Sequence, residues 1–157
     1  MLFWMVTIAA FVLDVVSKYA ASVLLKRGPA ALGGLVEFRI THNTGMALGF
    51  MAKHAIAGVI LPLAAIVCGW LLMRRYRLTR YTAVACGLIA GGFAGNFVQR
   101  LFFGYVLDMI YFPWLPWFVC NAADICICFG VALLAFSLLF RAQDWQEKGE
   151  VTKDAHD

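Results

Sequence analysis

The sequence is poor in charge. Charged residues make up only 14% of its 157 residues, whereas hydrophobic residues make up 63% and the mean hydropathy is +0.82. A water-soluble domain of this length has too little interior to bury so much apolar surface. The scarcity of charge therefore excludes a soluble globular protein. It predicts a single domain that is integral to a membrane.

Acidic residues are especially scarce outside one segment. Five of the nine acids lie near the C-terminal end, at Asp144, Glu147, Glu150, Asp154 and Asp157. The remaining four are Asp14, Glu37, Asp108 and Asp124. Ionisable groups within apolar segments are costly unless they are paired or hydrated, so each of these four acids is informative.

The chain also lacks the pattern of a metal site or of a disulfide framework. Its five cysteines are odd in number and lie mostly in apolar runs. Cys126 and Cys128 are two residues apart without a histidine at zinc-ligand spacing. We predict no metal, no disulfide and no cofactor.

Long apolar runs are what the sequence does contain. They predict four transmembrane helices at about residues 2–25, 55–73, 81–98 and 121–140, since a hydrocarbon core of about 30 Å needs roughly 20 apolar residues. Residues 26–54 alternate between polar and apolar side chains and contain helix-breaking glycines, which predicts a small extracytoplasmic β-sheet. The predicted fold is therefore an all-α membrane protein of four helices, with this sheet between helices 1 and 2. It covers residues 1–140 and is followed by a charged cytoplasmic tail, 141–157.

The basic residues indicate the orientation. Four arginines lie in one short loop between predicted helices, at Arg74, Arg75, Arg77 and Arg80. Positive loops remain in the cytoplasm, so this cluster is a topology signal and does not indicate nucleic-acid binding. Both termini are then cytoplasmic, and loops 26–54 and 99–120 lie outside.

Two aspartates converge in this topology. Asp108 lies in the outer loop and Asp124 about one turn into the last helix, so both are expected near the extracytoplasmic face. Two carboxylates held close together cannot both ionise at low cost. They therefore share a proton, as in aspartic proteolysis. Asp14 and Lys18 lie on one face of the first helix, where they form either a helix-packing ion pair or part of the site.

Five ordered motifs resemble those of lipoprotein signal peptidase, the bacterial signal peptidase II family. They are Asp14-x-x-Ser17-Lys18, Asn43-x-Gly45-x-Ala47-x-Gly49-Phe50, Gly95-Asn96-x-x-x-Arg100, Val106-x-Asp108 and Asn121-x-Ala123-Asp124. The resemblance covers nearly the whole chain except the tail.

The resemblance implies an aspartyl endopeptidase of the bacterial inner membrane. Such enzymes remove the signal peptide from diacylglyceryl-modified prolipoproteins, cutting before the lipidated cysteine. It also implies that Asp108 and Asp124 are catalytic. The residues that would bind substrate or support the site are Asn43, Asn96, Arg100, Asn121, Asp14 and Lys18. The implied partners are prolipoprotein substrates and membrane lipid, with no obligate protein partner.

Three positions depart from the family's pattern. Gln99 stands where the family usually has Asp, Met109 replaces an aromatic residue, and Cys120 replaces Phe. An Asp next to Arg100 would orient its guanidinium by a charge-assisted bond, which a neutral Gln does more weakly. Gln99 leaves open a relative that binds lipoproteins without cleaving them. The other alternative is a small proton- or cation-coupled carrier that uses Asp14, Asp108 and Asp124 as a relay.

Overall fold

The computed structural model describes residues 1–44, 67, 69, 71 and 73–148. This part of the chain contains three long helices: α1 (Leu2–Leu24), α2 (Arg80–Phe103) and α3 (Ala122–Phe140). A 3-10 turn, Leu25–Arg27, extends α1, and a second one, Ala142–Asp144, follows α3.

The described residues contain three helices that are long and apolar enough to cross a membrane, rather than the four predicted. They correspond to the predicted helices at about 2–25, 81–98 and 121–140. Most of the predicted helix at 55–73 lies outside the described residues, although residues 67, 69, 71 and 73–75 are helical. α2 is longer than predicted and ends at Gly104, whose φ of 75° suits glycine.

The sheet differs from the prediction in its membership. Its four antiparallel strands follow the order β1 (Ala30–Leu32), β2 (Val36–Asn43), β3 (Val106–Tyr111) and β4 (Val119–Cys120). Half of the strands therefore come from the loop between α2 and α3, so the placement of the sheet only between helices 1 and 2 was wrong. β3 pairs with β2 and β4 pairs with β3, so the backbone N–H and C=O groups of these short segments obtain hydrogen-bond partners.

Polar and small residues face the interior of the helix bundle. The buried residues of α1 are Ala10, Asp14, Lys18 and Ala21. Large apolar side chains of the same helix, such as Ile8 and Leu13, are more than half exposed. This distribution is the reverse of that in a soluble helix, and it suits a helix whose outer surface is in contact with lipid.

Glycines allow the three helices to approach closely. α2 contacts α1 at Gly87, Gly91 and Gly95 and contacts α3 at Gly92, while Gly130 of α3 lies against α2. A Cβ atom on Gly91 would stand 2.5 Å from the carbonyl oxygen of Thr7 and 2.7 Å from the Cβ of Ala10. α2 thus lies between α1 and α3 because its small residues leave room for both neighbours.

The first part of the predicted tail is folded. Glu147 forms an isolated β-bridge with Tyr76, and its carboxylate accepts hydrogen bonds from Arg75 at 2.7 and 2.9 Å. Asp144 is buried, where its carboxylate accepts from Ser137 Oγ at 2.9 Å and from Arg141 Nε at 2.6 Å. These two sets of bonds join the segment after α3 to the loop before α2 and to the end of α3.

We expect Gly91→Ala to destabilise the bundle by about 1–3 kcal/mol, as typical of overpacking a tight contact. The new methyl group would meet backbone atoms of α1 that cannot move independently. The measurement is the apparent unfolding temperature of the purified protein in detergent. Gly69→Ala is the matched control, since the added Cβ would meet no atom of the described residues within 4 Å. Equal stability of the two variants would contradict the assignment of Gly91 as a packing residue.

Candidate active site

Asn121 brings the two predicted catalytic aspartates together. Asp108 lies in β3 and Asp124 in the first turn of α3. The Nδ2 of Asn121 donates to Asp108 Oδ1 at 2.6 Å, and its backbone N–H donates to Asp124 Oδ2 at 3.2 Å. A single residue therefore bonds to both carboxylates. Asp108 and Asn121 are each at most 1% exposed.

The sequence around Asn121 explains this local geometry. Asn121 is the N-cap of α3, and its Oδ1 accepts from the backbone N–H of Asp124 at 3.0 Å. Asp124 completes a reciprocal capping box, in which the residue three positions after the cap bonds back to it. The positive end of the helix dipole also favours a negative charge at this position. The Asn-x-x-Asp pattern thus both starts the helix and orients the Asp124 carboxylate.

Asn96 of α2 joins Asp124 to the first helix. Its Nδ2 donates to Asp124 Oδ1 at 2.8 Å. Its Oδ1 accepts from Asn121 Nδ2 at 3.1 Å and from Lys18 Nζ at 2.8 Å. Because each atom of the amide has a partner of the correct polarity, the side chain has one favourable orientation.

Asp14 and Lys18 belong to the same network. Lys18 Nζ lies 2.7 Å from Asp14 Oδ2, and the two residues are 4% and 0% exposed. The other oxygen of Asp14 accepts from the backbone N–H of Ala123 at 3.0 Å. The pair therefore joins α1 to the N-terminus of α3 and, through Asn96, to Asp124. The Asp14–Lys18 ion pair thus has both predicted roles: it packs the helices together and it contacts the site.

Asn43 and Arg100 complete the surroundings of the carboxylates. Asn43 Nδ2, at the end of β2, donates to Asp108 Oδ2 at 2.8 Å. Arg100, near the end of α2, interacts electrostatically with Asp124 and Asp108. Burial raises the pKa of Asp108 to about 6, since it penalises the charged form; the Asn43 bond lowers the pKa and the Asp124 charge raises it. Asp108 can thus gain or lose a proton close to neutral pH.

Gln99 has a role that the sequence reasoning missed. Its Oε1 accepts a hydrogen bond of 2.9 Å from the backbone N–H of Leu107, the residue that precedes Asp108. It thereby ties the end of α2 to the strand that carries Asp108. The partner of this bond is a backbone group of another segment, so no sequence pattern could identify it. An Asp at this position would also supply an acceptor, although with a shorter side chain.

The other two departures lie in the core beneath the site. Met109 is 5% exposed and Cys120 is 3% exposed, and Cys120 pairs with Ile110 across the sheet. Burial, followed by the neighbouring carboxylates, raises the pKa of Cys120 to about 12, so the thiol remains neutral. Among the described residues, no three His, Cys, Asp or Glu side chains are grouped as metal ligands.

The comparisons with known proteins agree with the motifs. The family model described as signal peptidase (SPase) II matches residues 6–140. A lipoprotein signal peptidase from Azoarcus sp. (strain BH72) is 34% identical over 95% of this chain and 89% of its own length. One from Syntrophomonas wolfei is 33% identical over 88% of this chain and 94% of its own length. A bacterial membrane enzyme solved by the in meso method has a TM-score of 0.69 and 25% identity, covering 92% of this chain and 91% of that chain.

The buried ion pair gives a test of the network. We expect Asp14→Asn to destabilise the protein by about 3–5 kcal/mol, because it leaves the Lys18 ammonium buried without its counter-charge. The double variant Asp14→Asn with Lys18→Met also removes that charge and should be more stable than Asp14→Asn alone. Apparent unfolding temperatures in detergent, compared as a double-mutant cycle, measure the coupling. Additive losses would show that the two residues are not coupled.

Proposed function

The chain belongs to the signal peptidase II family, and we propose that Asp108 and Asp124 are the catalytic pair with which it removes the signal peptide from prolipoproteins. The observation that carries this proposal is the position of Asn121, which bonds to both carboxylates. Carboxylates held this way are placed to share one proton and one water molecule.

The surroundings of the two acids suggest their roles. Asp124 lies at the N-terminus of α3, where the helix dipole favours its anion. Its carboxylate also accepts hydrogen bonds from the backbone N–H of Asn121 and from Asn96 Nδ2, which stabilise the anion, so we assign it the role of general base. Asp108 is 1% exposed in the sheet, and burial raises its pKa to about 6, so we assign it the role of proton donor.

A proteolytic cycle follows from these roles. Asp124 takes a proton from water as the water oxygen attacks the carbonyl carbon of the scissile peptide bond, while Asp108 donates its proton to the carbonyl oxygen. The tetrahedral intermediate then returns a proton to Asp108, and the proton held by Asp124 passes to the leaving nitrogen as the C–N bond breaks. The products are a carboxylic acid and an amine, and both aspartates regain their initial states. Arg100 and Asn43 lie beside the pair and would orient the substrate carbonyl.

We propose that the substrate is a diacylglyceryl-modified prolipoprotein, cut before the lipidated cysteine in the bacterial inner membrane. Asp108 lies in the sheet and Asp124 in the first turn of α3, so both acids lie at one end of the helix bundle. A carrier with alternating access needs its site near the middle of the membrane, so this position favours the peptidase over a carrier. The intact pair of acids also favours a cleaving enzyme over a relative that only binds.

We expect Asp108→Asn and Asp124→Asn each to lower the cleavage rate by at least about 10²–10⁴-fold, the usual loss when a general acid or base is removed. Asn is close in shape to Asp and retains a side-chain oxygen, so folding should persist. The two acids act as one unit, so the double variant should be scarcely slower than either single variant. The measurement is the cleavage rate of a lipidated precursor peptide by purified protein in detergent.

Asp144→Asn is the matched control for the two aspartate variants. It changes another buried acid, which bonds to Ser137 and Arg141 outside the site. This variant should keep its cleavage rate per folded molecule. A folded Asp108→Asn or Asp124→Asn protein that retains substantial activity would overturn the aspartyl mechanism.

The orientation in the membrane is also testable. We propose that both termini are cytoplasmic and that the site faces the outside. A reporter that works only outside the cytoplasm should then be active when joined after Gly33 and inactive when joined after Arg77. The reverse pattern would place Asp108 and Asp124 on the cytoplasmic side and contradict the proposed substrate access.

A further inference from the structure

The loop between β3 and β4 contains two consecutive turns of the same design. Residues 112–118 read Phe-Pro-Trp-Leu-Pro-Trp-Phe. The backbone N–H of Leu115 donates to the oxygen of Phe112 at 2.9 Å, and that of Phe118 donates to the oxygen of Leu115 at 3.0 Å. Each turn therefore has proline at its second position, which proline favours, and tryptophan at its third. We call residues 112–118 the tryptophan loop.

Both turns direct their tryptophan outward. Trp114 is 66% exposed and Trp117 is 64% exposed, whereas Phe112 and Phe118 are half-buried and stack on each other with ring centroids 6.2 Å apart. The phenylalanines thus form the base of the loop and the tryptophans its rim. The prolines restrict the backbone of the loop, which limits the positions that the two tryptophans can take.

The rim continues onto the first turn of the sheet. Trp114 Nε1 donates to the carbonyl oxygen of Leu35 at 3.2 Å. Leu35 and Leu32, which enclose the turn between β1 and β2, are 69% and 66% exposed. Four large apolar side chains from two segments therefore form one exposed edge at this end of the molecule. No charged residue occurs between Tyr111 and Val119 in the sequence.

The position of the helices indicates what this edge meets. The tryptophan loop lies between the end of α2 at Phe103 and the start of α3 at Ala122, and both helices are long and apolar enough to span a membrane. The loop therefore lies at the level where these helices leave the hydrocarbon core. Phe102 and Phe103, at the end of α2, are 73% and 62% exposed, so the apolar surface of the helix continues up to this level.

We propose that the tryptophan loop inserts into the interface of the lipid bilayer and anchors the sheet at a fixed depth. Tryptophan favours this region because its ring is apolar and its indole N–H is polar. The occupant of the exposed edge is thus lipid, at the boundary between headgroups and acyl chains. β3 leads directly into the loop, so the anchor also sets the depth of Asp108, which lies in the same strand. This role does not depend on the proposed catalytic mechanism.

Fluorescence of single-tryptophan variants tests the anchor without measuring cleavage. The chain has five tryptophans, at Trp4, Trp70, Trp114, Trp117 and Trp145. Variants that keep only Trp114 or only Trp117, with Phe at the other positions, are placed in phosphatidylcholine vesicles. One set of vesicles carries bromine near the carbonyl end of the acyl chains and another carries it near the methyl end. Iodide in the aqueous phase quenches only tryptophans that are exposed to water and therefore tests the opposite location.

Two further single-tryptophan variants are the controls. Trp4 is 64% exposed on α1 and should be quenched by lipid, whereas Trp145 is half-buried against the ring of Tyr76 and should be quenched little. For Trp114 and Trp117 we expect bromine near the carbonyl end to reduce emission by about twofold or more, with weaker quenching from the methyl end and from iodide.

The opposite outcomes would overturn the anchor. Strong iodide quenching with no bromolipid effect would show that the loop stands in water. Weak quenching by every agent would show that a second copy or another part of the chain covers it. Because the prolines remain in all variants, wild-type-like apparent unfolding temperatures would confirm that the loop is tested in its native fold. If the tryptophan replacements lower that temperature, the same vesicles are compared using Trp114→Phe and Trp117→Phe alone, which should each remove part of the carbonyl-end quenching.

Discussion

The bonds of the buried Lys18 ammonium determine how the three helices meet. A positive charge surrounded by apolar helices is tolerated only if its hydrogen-bonding capacity is met within the protein. Lys18 obtains this from Asp14 on its own helix and from Asn96 on α2. Asp14 in turn bonds to the start of α3. These three contacts, two of them made by the ammonium itself, link α1 to both α2 and α3.

The packing of small residues makes this arrangement possible. Gly95 stands directly against the carboxylate of Asp14, so a side chain at this position would displace it. The next residue, Asn96, carries the amide that joins the ion pair to Asp124. Two neighbouring positions in α2 thus have different roles: Gly95 lets the helix backbones approach closely, and Asn96 continues the network of hydrogen bonds. Stability and the geometry of the site depend on the same contact.

Much of the site could be predicted from the sequence because charge is so rare in it. Asp14, Lys18, Asn96 and Asn121 stand out against apolar neighbours, and the predicted topology brings Asp108 and Asp124 to the same end of the bundle. The sheet was harder to predict, since Val106–Tyr111 is a short apolar run whose pairing with β2 depends on contacts distant in sequence. Gln99 bonds to a backbone group, and Asp144 is buried although its neighbours suggest an exposed tail. Partners of this kind leave no local pattern.

The bridge between Tyr76 and Glu147 has a practical consequence for how the protein is handled. It joins the loop before α2 to the segment after α3, and Lys148 adds bonds to the backbone of Arg75 and Met73. Glu147 and Lys148 therefore connect α2 and α3 at the end opposite the sheet, although their place in a charged C-terminal segment suggests that they could be removed. A truncated or tagged variant should therefore keep the chain through Lys148, so that the contact between the loop before α2 and the segment after α3 is preserved.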